Sequence, residues 1–199
     1  WTATKYVPQG DHISAIEVSA NYASDGAFFV ATATSAEIFK VDSTLMLPIL
    51  PAQDSEADAA GTIFDLESWF DGTHIWLLAG TDVDALIIEI AQPATNWLDL
   101  ELAGDPSDDQ AAYRVAFASD FATSNRFWAL TNTDINTVEA GDYVLTSTII
   151  PGQWGTTIMP WVSNVNPDHP FAVDFEEAPG YTNAAPMFYV ALSGNGDEN

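Results

Sequence analysis

Basic residues and cysteine are what this sequence most lacks. Its 199 residues include four Lys and Arg against 29 Asp and Glu, and the formal net charge is −25. Four scattered cations cannot neutralise a phosphate backbone, so nucleic acid is excluded as a partner and an anionic membrane surface is disfavoured. The absence of cysteine excludes disulfides, thiolate chemistry and cysteine-based metal sites. No apolar run approaches the roughly 18 residues of a membrane-spanning helix, so we expect no membrane insertion.

Hydrophobic and aromatic residues are nevertheless plentiful. They include seven Trp, six Tyr and 11 Phe, and 47% of the chain is hydrophobic. Disordered chains are poor in such residues, so this chain is expected to fold. A strongly acidic surface with almost no lysine suits a setting where counterions screen self-repulsion, and we therefore predict an extracellular or cell-surface location.

The hydrophobic residues are arranged in short strand-like runs. Apolar segments at 27–32, 75–78, 85–90 and 143–150 alternate with clusters of Gly, Pro, Asn and Asp, and helical periodicity is nearly missing. This pattern predicts an all-β protein.

An internal repeat organises these runs. Residues 18–34 align without gaps on 117–133, residues 63–78 reproduce the same order of strand, polar turn and apolar strand, and 179–192 form a poorer fourth copy. We predict one repeat domain with blade-like units at about 12–50, 61–102, 112–160 and 170–192, and with 1–8 as a loose strand. Four strands in about 50 residues is the size of a propeller blade, so the predicted fold is a β-propeller-like array, with an antiparallel β-sandwich as the alternative.

Tryptophans recur with the repeat. Their regular spacing favours burial of Trp97, Trp128 and Trp154 between units. Trp69 and Trp161 lie in polar, loop-like sequence, and we predict that they form a contact surface for carbohydrate or protein.

The segment 13–32 resembles the repeat of the BNR or Asp-box β-propellers, the sialidase-like and sortilin-like superfamily. The resemblance lies in a strand that leads into Asn21-Tyr22, a small-residue turn, Asp25-Gly26 and an apolar strand. The Asp-box itself is eroded, because Asp42 is followed by neither the Gly nor the Trp of that motif. The resemblance implies a propeller fold. Sialidases of this superfamily bind the substrate carboxylate with three arginines, and a chain with only two arginines is not expected to share that activity.

Carboxylate pairs leave a second enzymatic route open. Glycoside hydrolases need two acids about 5 to 9 Å apart. Glu67 stands near Trp69, and Asp174 and Glu176 flank Phe175, whose ring could stack on a sugar. Solvated acids on strand faces explain the same pattern, so we single out no catalytic residue and lean against an enzyme.

Oxygen-rich turns suggest calcium as the one candidate cofactor. Hard cations take carboxylate, amide and carbonyl oxygens from a turning backbone, although ordinary Asx-turns use the same residues. The candidate ligands form two runs, each with a ligand at every second residue, and one acidic turn. The runs are Asn132, Asp134 and Asn136, and Asn164, Asn166 and Asp168; the turn contains Asp105, Asp108 and Asp109.

The strand count sets the expected function. Three full units, a partial fourth and a loose first strand leave an open edge, and open edges pair with other chains. We therefore expect a segment of a longer propeller or a subunit completed by another chain. The predicted function is a non-catalytic extracellular module for surface assembly, adhesion or ligand display. A propeller glycoside hydrolase and a self-assembling filament, surface-layer or capsid subunit with a β-sandwich fold are the alternatives.

Overall fold

The computed structural model describes residues 12–33, 36–42, 46–49, 60–90, 97–100, 111–132, 143–148, 159–160, 171–181 and 187–193. Within these ranges the chain is all-β, as predicted, with four antiparallel sheets and two four-residue helices. In this part of the chain, no helix is long and apolar enough to cross a membrane.

Each sheet is a meander in which neighbouring strands follow one another in the chain. The first sheet contains β1 (Ile13–Val18), β2 (Phe28–Thr32), β3 (Ile38–Val41) and β4 (Met46–Pro48). The second contains β5 (Ile63–Phe70), β6 (Ile75–Thr81), β7 (Ala85–Glu89) and β8 (Leu98–Asp99). The third contains β9 (Ala112–Phe117), β10 (Phe127–Asn132), β11 (Tyr143–Thr148) and β12 (Met159–Pro160). The fourth contains β13 (Phe171–Glu177) and β14 (Phe188–Ser193).

The hydrophobic cores lie between successive sheets. Phe29 and Ile38 of the first sheet pack with Ile63 and Leu66 of the second. Leu78 and Ile87 of the second sheet pack with Val115, Phe117 and Phe127 of the third, and Trp128 of the third packs with Phe175, Tyr181 and Phe188 near the fourth. Strands β2 and β6 are therefore apolar along most of their length, because sheets or neighbouring strands cover both of their faces. The predicted burial of Trp128 is confirmed.

The two helices confirm the alignment between the first and third units. Helix α1 (Tyr22–Asp25) and helix α2 (Phe121–Ser124) are 99 residues apart, and each ends on a left-handed residue whose N–H bonds the first helical carbonyl at 2.8 Å. Gly26 has φ 59° and Asn125 has φ 53°, the two residue types that adopt this conformation most readily. The sequence did not predict these helices, since four residues are too few to show helical periodicity.

Strand β5 corrects the predicted loop position of Trp69. It continues to Phe70, so Trp69 lies in a strand rather than a loop. The chain then turns at Asp71, whose Oδ1 accepts hydrogen bonds from the backbone N–H of Thr73 and His74 at 2.7 and 2.6 Å. These bonds lower the pKa of Asp71 to about 2. His74 lies in this turn with 49% of its side chain exposed.

Candidate functional site

The four sheets meet along the strands with which they begin. β1 contacts β5, β5 contacts β9, and β9 contacts β13. In each sheet, the pairing between the first and second strands has one irregularity. It skips one residue near the start of the first strand. Aligning the irregularities gives one set of equivalent positions at Ala15, Asp65, Arg114 and Asp174. A second set, two residues further on, is Glu17, Glu67, Ala116 and Glu176.

Carboxylates at these positions connect neighbouring first strands. Glu17 Oε1 on β1 accepts hydrogen bonds from the backbone N–H and the hydroxyl of Ser68 on β5, at 3.1 and 2.9 Å. Asp65 Oδ2 on β5 accepts from the N–H of Val115 on β9 at 3.0 Å. Glu67 Oε2 accepts from the N–H of Phe117 at 2.9 Å. The backbone N–H groups of Ser68 on β5 and of Val115 and Phe117 on β9 thus bond to side chains of the preceding sheet, and the described sheets are not joined by a backbone ladder.

The junction between the third and fourth sheets is built in the opposite direction. β9 carries Arg114 and Ala116 where β5 carries its two acids, so β9 offers no carboxylate to β13. Instead Glu177 of β13 reaches back to the third sheet and accepts from the N–H of Ser119 at 3.0 Å and from Trp128 Nε1 at 2.7 Å.

A cleft of about 550 Å³ opens beside the first strands. We call it the acidic cleft, because five of the residues that line it are carboxylic acids: Glu17, Asp65, Glu67, Glu176 and Glu177. Apolar side chains, among them Leu66, Val115, Phe117 and Phe175, form the rest of its wall.

Burial raises the pKa of three acids of this cleft, Glu17, Asp65 and Glu67. It raises the pKa of Glu67 to about 8, against the N–H bond from Phe117, and the nearby carboxylates of Glu17, Asp65 and Glu177 raise it further. Burial also raises the pKa of Asp65 to about 6, although the Val115 N–H and the Arg114 guanidinium oppose the shift. The pKa of Glu17 is raised for the same reason. With a pKa of about 8, Glu67 is largely protonated at neutral pH.

A guanidinium lies at the edge of this group. Arg114 NH1 is 3.5 Å from Asp65 Oδ1, and its Nε is 3.5 Å from Asp174 Oδ1. The same NH1 donates to the carbonyl of Phe64 at 3.4 Å. Asp65, Arg114 and Asp174 occupy equivalent positions on three successive first strands, so the cation sits between two acids and offsets part of their repulsion.

Several residues predicted from the sequence meet in this cleft. Glu67, Phe175 and Glu176 all line it, although 50 residues or more separate Glu67 from the other two in the chain. Asp174 lies beside them in the ion pair with Arg114. No sequence pattern distinguished Glu17, Asp65 or Glu177 from the other acids. The one available signal was the repeated Asp-x-Glu of 65–67 and 174–176 at equivalent strand positions.

Trp69 faces the third sheet. Its ring centroid is 4.7 Å from that of Phe121 and 6.3 Å from that of Phe117, and the side chain is half-buried. Trp69 and Trp161 were predicted to form one contact surface. Trp161 lies outside the described residues, so this stays a prediction.

The calcium prediction falls almost entirely outside the described residues, which include the backbone of Asn132 and none of the other eight candidate ligands. Among the described residues, no three His, Asp or Glu side chains are grouped so that they could hold a metal ion. Calcium binding stays a prediction, which calorimetric titration of chelator-treated protein tests.

Comparison with known proteins gives no relative. No protein-family model, curated protein or solved structure matches the chain. The resemblance to Asp-box propellers therefore rests on the sequence pattern alone.

Proposed function

We propose that this chain is a non-catalytic, β-propeller-like module of the extracellular space or cell surface that serves assembly, adhesion or ligand display. The observation that carries the proposal is the use of the acids in the cleft. Glu17, Asp65, Glu67 and Glu177 each accept a backbone N–H from a neighbouring sheet. Groups engaged in this way hold the sheets together, and the same bonds account for their positions without a substrate.

The arrangement of the sheets supports the propeller-like part of the proposal. The described strands form four antiparallel sheets in which neighbouring strands follow one another in the chain, and the first strand of each sheet contacts the first strand of the next. A β-sandwich has two sheets packed face to face. Radial repetition of four-stranded sheets is the arrangement of a propeller.

Matched substitutions test the structural role of the acids. We expect Glu17→Gln to weaken the contact between β1 and β5 and to lower the melting temperature, with no hydrolytic activity on a polysaccharide panel before or after the change. Glu89→Gln, outside the cleft, is the control for a lost charge. Turnover of any polysaccharide by the unmodified chain, abolished by one substitution in the cleft, would overturn the non-catalytic assignment.

A glycoside hydrolase is the second candidate, and one observation favours it. A general acid must hold its proton at working pH, and Glu67 does so beside ionisable acids in a cleft that an aromatic side chain lines. In that function Glu67 would protonate the leaving oxygen, and Asp65 or Glu176 would act as base or nucleophile. Glu67→Gln then abolishes turnover on the responsive polysaccharide, whereas Glu89→Gln leaves it unchanged.

A further inference from the structure

The two end sheets expose surfaces that the inner sheets bury. Ile16 on β1 is 61% exposed, whereas its equivalents Leu66 on β5 and Val115 on β9 are 5% and 4% exposed. Leu66 and Val115 are covered because a preceding sheet packs on their strands. The irregularity before Ala15 places Ile13 on the side of Ile16 and Val18, and all three are exposed.

A short helix extends this surface. Phe121, at the start of helix α2, packs on Trp69 of the preceding sheet, while its equivalent Tyr22 in helix α1 is exposed. We call the surface formed by Ile13, Ile16, Val18 and Tyr22 the incoming face.

The opposite end has a matching surface on β14. Tyr189 is 65% exposed, whereas its equivalents Phe29, Leu78 and Trp128 are fully buried under the following sheet. Met187 and Ala191 flank it on the same side of the strand and are exposed as well. We call Met187, Tyr189 and Ala191 the outgoing face. Six of the eight large apolar side chains that are exposed in the described residues lie on these two faces.

The hydrogen-bonding groups at the two ends are also complementary to each other. β13 carries Asp174 and Glu176 at the positions where β5 carries Asp65 and Glu67, and both are exposed. On β1, the N–H of Ser19 bonds to Ala27 of the second strand, so the alternation of a strand directs the N–H of Val18 to the open edge, where the carboxylate of Glu17 also contacts it. The equivalent N–H of Phe117 is the one that Glu67 accepts.

We infer that the outgoing face of one copy of this chain docks on the incoming face of a second copy, with Glu176 accepting the N–H of Val18 and Asp174 accepting that of Ile16. The contact continues the pattern of the β5–β9 junction from one molecule to the next. Both faces are exposed in the same folded chain, so neither covers the other within one molecule. The contact is heterologous, and repetition gives a closed ring or a filament. This inference deepens the proposed assembly function and rests on it.

Ionic strength provides a first check. Each copy carries a net charge of −25, and long-range repulsion therefore opposes docking in dilute buffer. The proposed bonds join carboxylates to backbone N–H groups rather than to cations, so salt screens the repulsion without removing an ion pair. We expect the mass measured by sedimentation to increase with added salt.

The absence of native cysteine allows a decisive test by cross-linking. Val18→Cys and Glu176→Cys proteins are prepared separately, mixed, and treated with a short bismaleimide. The inference predicts a covalent dimer in the mixture and little dimer with either variant alone, because head-to-tail docking does not bring two copies of one face together. Thr73→Cys, in the exposed turn after β5, replaces Val18→Cys as the control and should give no dimer with Glu176→Cys.

A second substitution separates docking from folding. Ile16→Asp buries a charge in the proposed contact, and we expect it to lower the yield of covalent dimer about tenfold or more while the circular dichroism spectrum is retained. Unmodified protein that stays monomeric at all salt concentrations overturns the inference. So does a Val18→Cys/Glu176→Cys double variant that cross-links only within one molecule. Neither result bears on catalysis, which the polysaccharide panel tests separately.

Discussion

A hydrogen bond between Trp128 and Glu177 joins the third sheet to the fourth. Nε1 of the fully buried indole donates to Oε1 of the carboxylate at 2.7 Å, and the other oxygen of Glu177 accepts the N–H of Ser119. The indole N–H has one donor and one direction, so its position depends on this acid.

Glu177→Ala leaves the indole N–H without its acceptor. Since an unsatisfied buried donor costs about 1–3 kcal/mol, we expect the free energy of unfolding to fall by about that amount. Urea denaturation measures it, with Glu176→Ala at dilute concentration as the control on the same strand. Trp128→Phe combined with Glu177→Ala should cost less than the sum of the two single changes. Additivity within error would show that the hydrogen bond contributes nothing.

Glu67 and Asp65 predict an unusual pH dependence of stability. Their pKa values rise on folding from 4.5 to about 8 and from 3.8 to about 6, so the folded state binds more protons than the unfolded state in those windows. Their contribution is fully present below about pH 4 and is lost as the pH rises through these folded values, at up to about 1.4 kcal/mol per pH unit for each group. The lowered pKa of Asp71 acts below pH 3.8, outside this range.

The measurement is urea unfolding between pH 5 and pH 8. Glu67→Gln should flatten the fall in stability over this range, whereas Glu176→Gln should leave it in place. Parallel curves for the wild type and Glu67→Gln would contradict the raised pKa of Glu67.

Gly80 lies at a close approach of the second and third sheets. A Cβ at this position would lie 2.5 Å from the carbonyl oxygen of Ala112 and 3.3 Å from Cγ1 of Val115. Backbone atoms cannot move aside without separating the sheets, so we expect Gly80→Ala to destabilise the protein by about 1–3 kcal/mol. Gly61→Ala is the control, because its Cβ meets only the movable carboxylate of Asp82. Equal melting temperatures for the two variants would refute the close approach.

Gly26 and Asn125 should be interchangeable. Both occupy the left-handed position after a four-residue helix, with φ 59° and 53°. We expect Gly26→Asn and Asn125→Gly to change the free energy of unfolding little. Gly26→Val should cost about 1–2 kcal/mol, because a β-branched side chain is strained there. Thermal unfolding compares the three variants, and a tolerated valine would contradict this account.

The sheets were largely predictable from the sequence, because their signals are local. Apolar runs at 27–32, 85–90 and 143–150 were predicted as strands, and the structure places β2, β7 and β11 there. The extension of β5 was missed because Glu67 and Ser68 are polar. Two polar residues in a row indicate a loop when only neighbouring residues are considered. In the fold, however, these side chains bond to the adjacent sheets.

The cleft was only partly predictable for the opposite reason. Glu67 and Glu176 were noticed for their aromatic neighbours, yet any of 29 acids could have formed a pair. Glu17 and Asp65 could be recognised as cleft residues only in the fold, where strands 50 residues apart in the chain lie side by side. Their partners are backbone N–H groups, which every residue except proline carries, so no sequence pattern distinguishes them.

The carboxylate links between successive first strands affect the order in which the sheets unfold. Each described sheet makes its main contacts with the sheets next to it in order, so stability propagates as nearest-neighbour couplings along a line. An end sheet loses one coupling when it opens, whereas an inner sheet must lose two. Amide hydrogen exchange should therefore be slowest in β6 and become faster toward β2 and β14, a gradient of protection that runs along the order of the repeats.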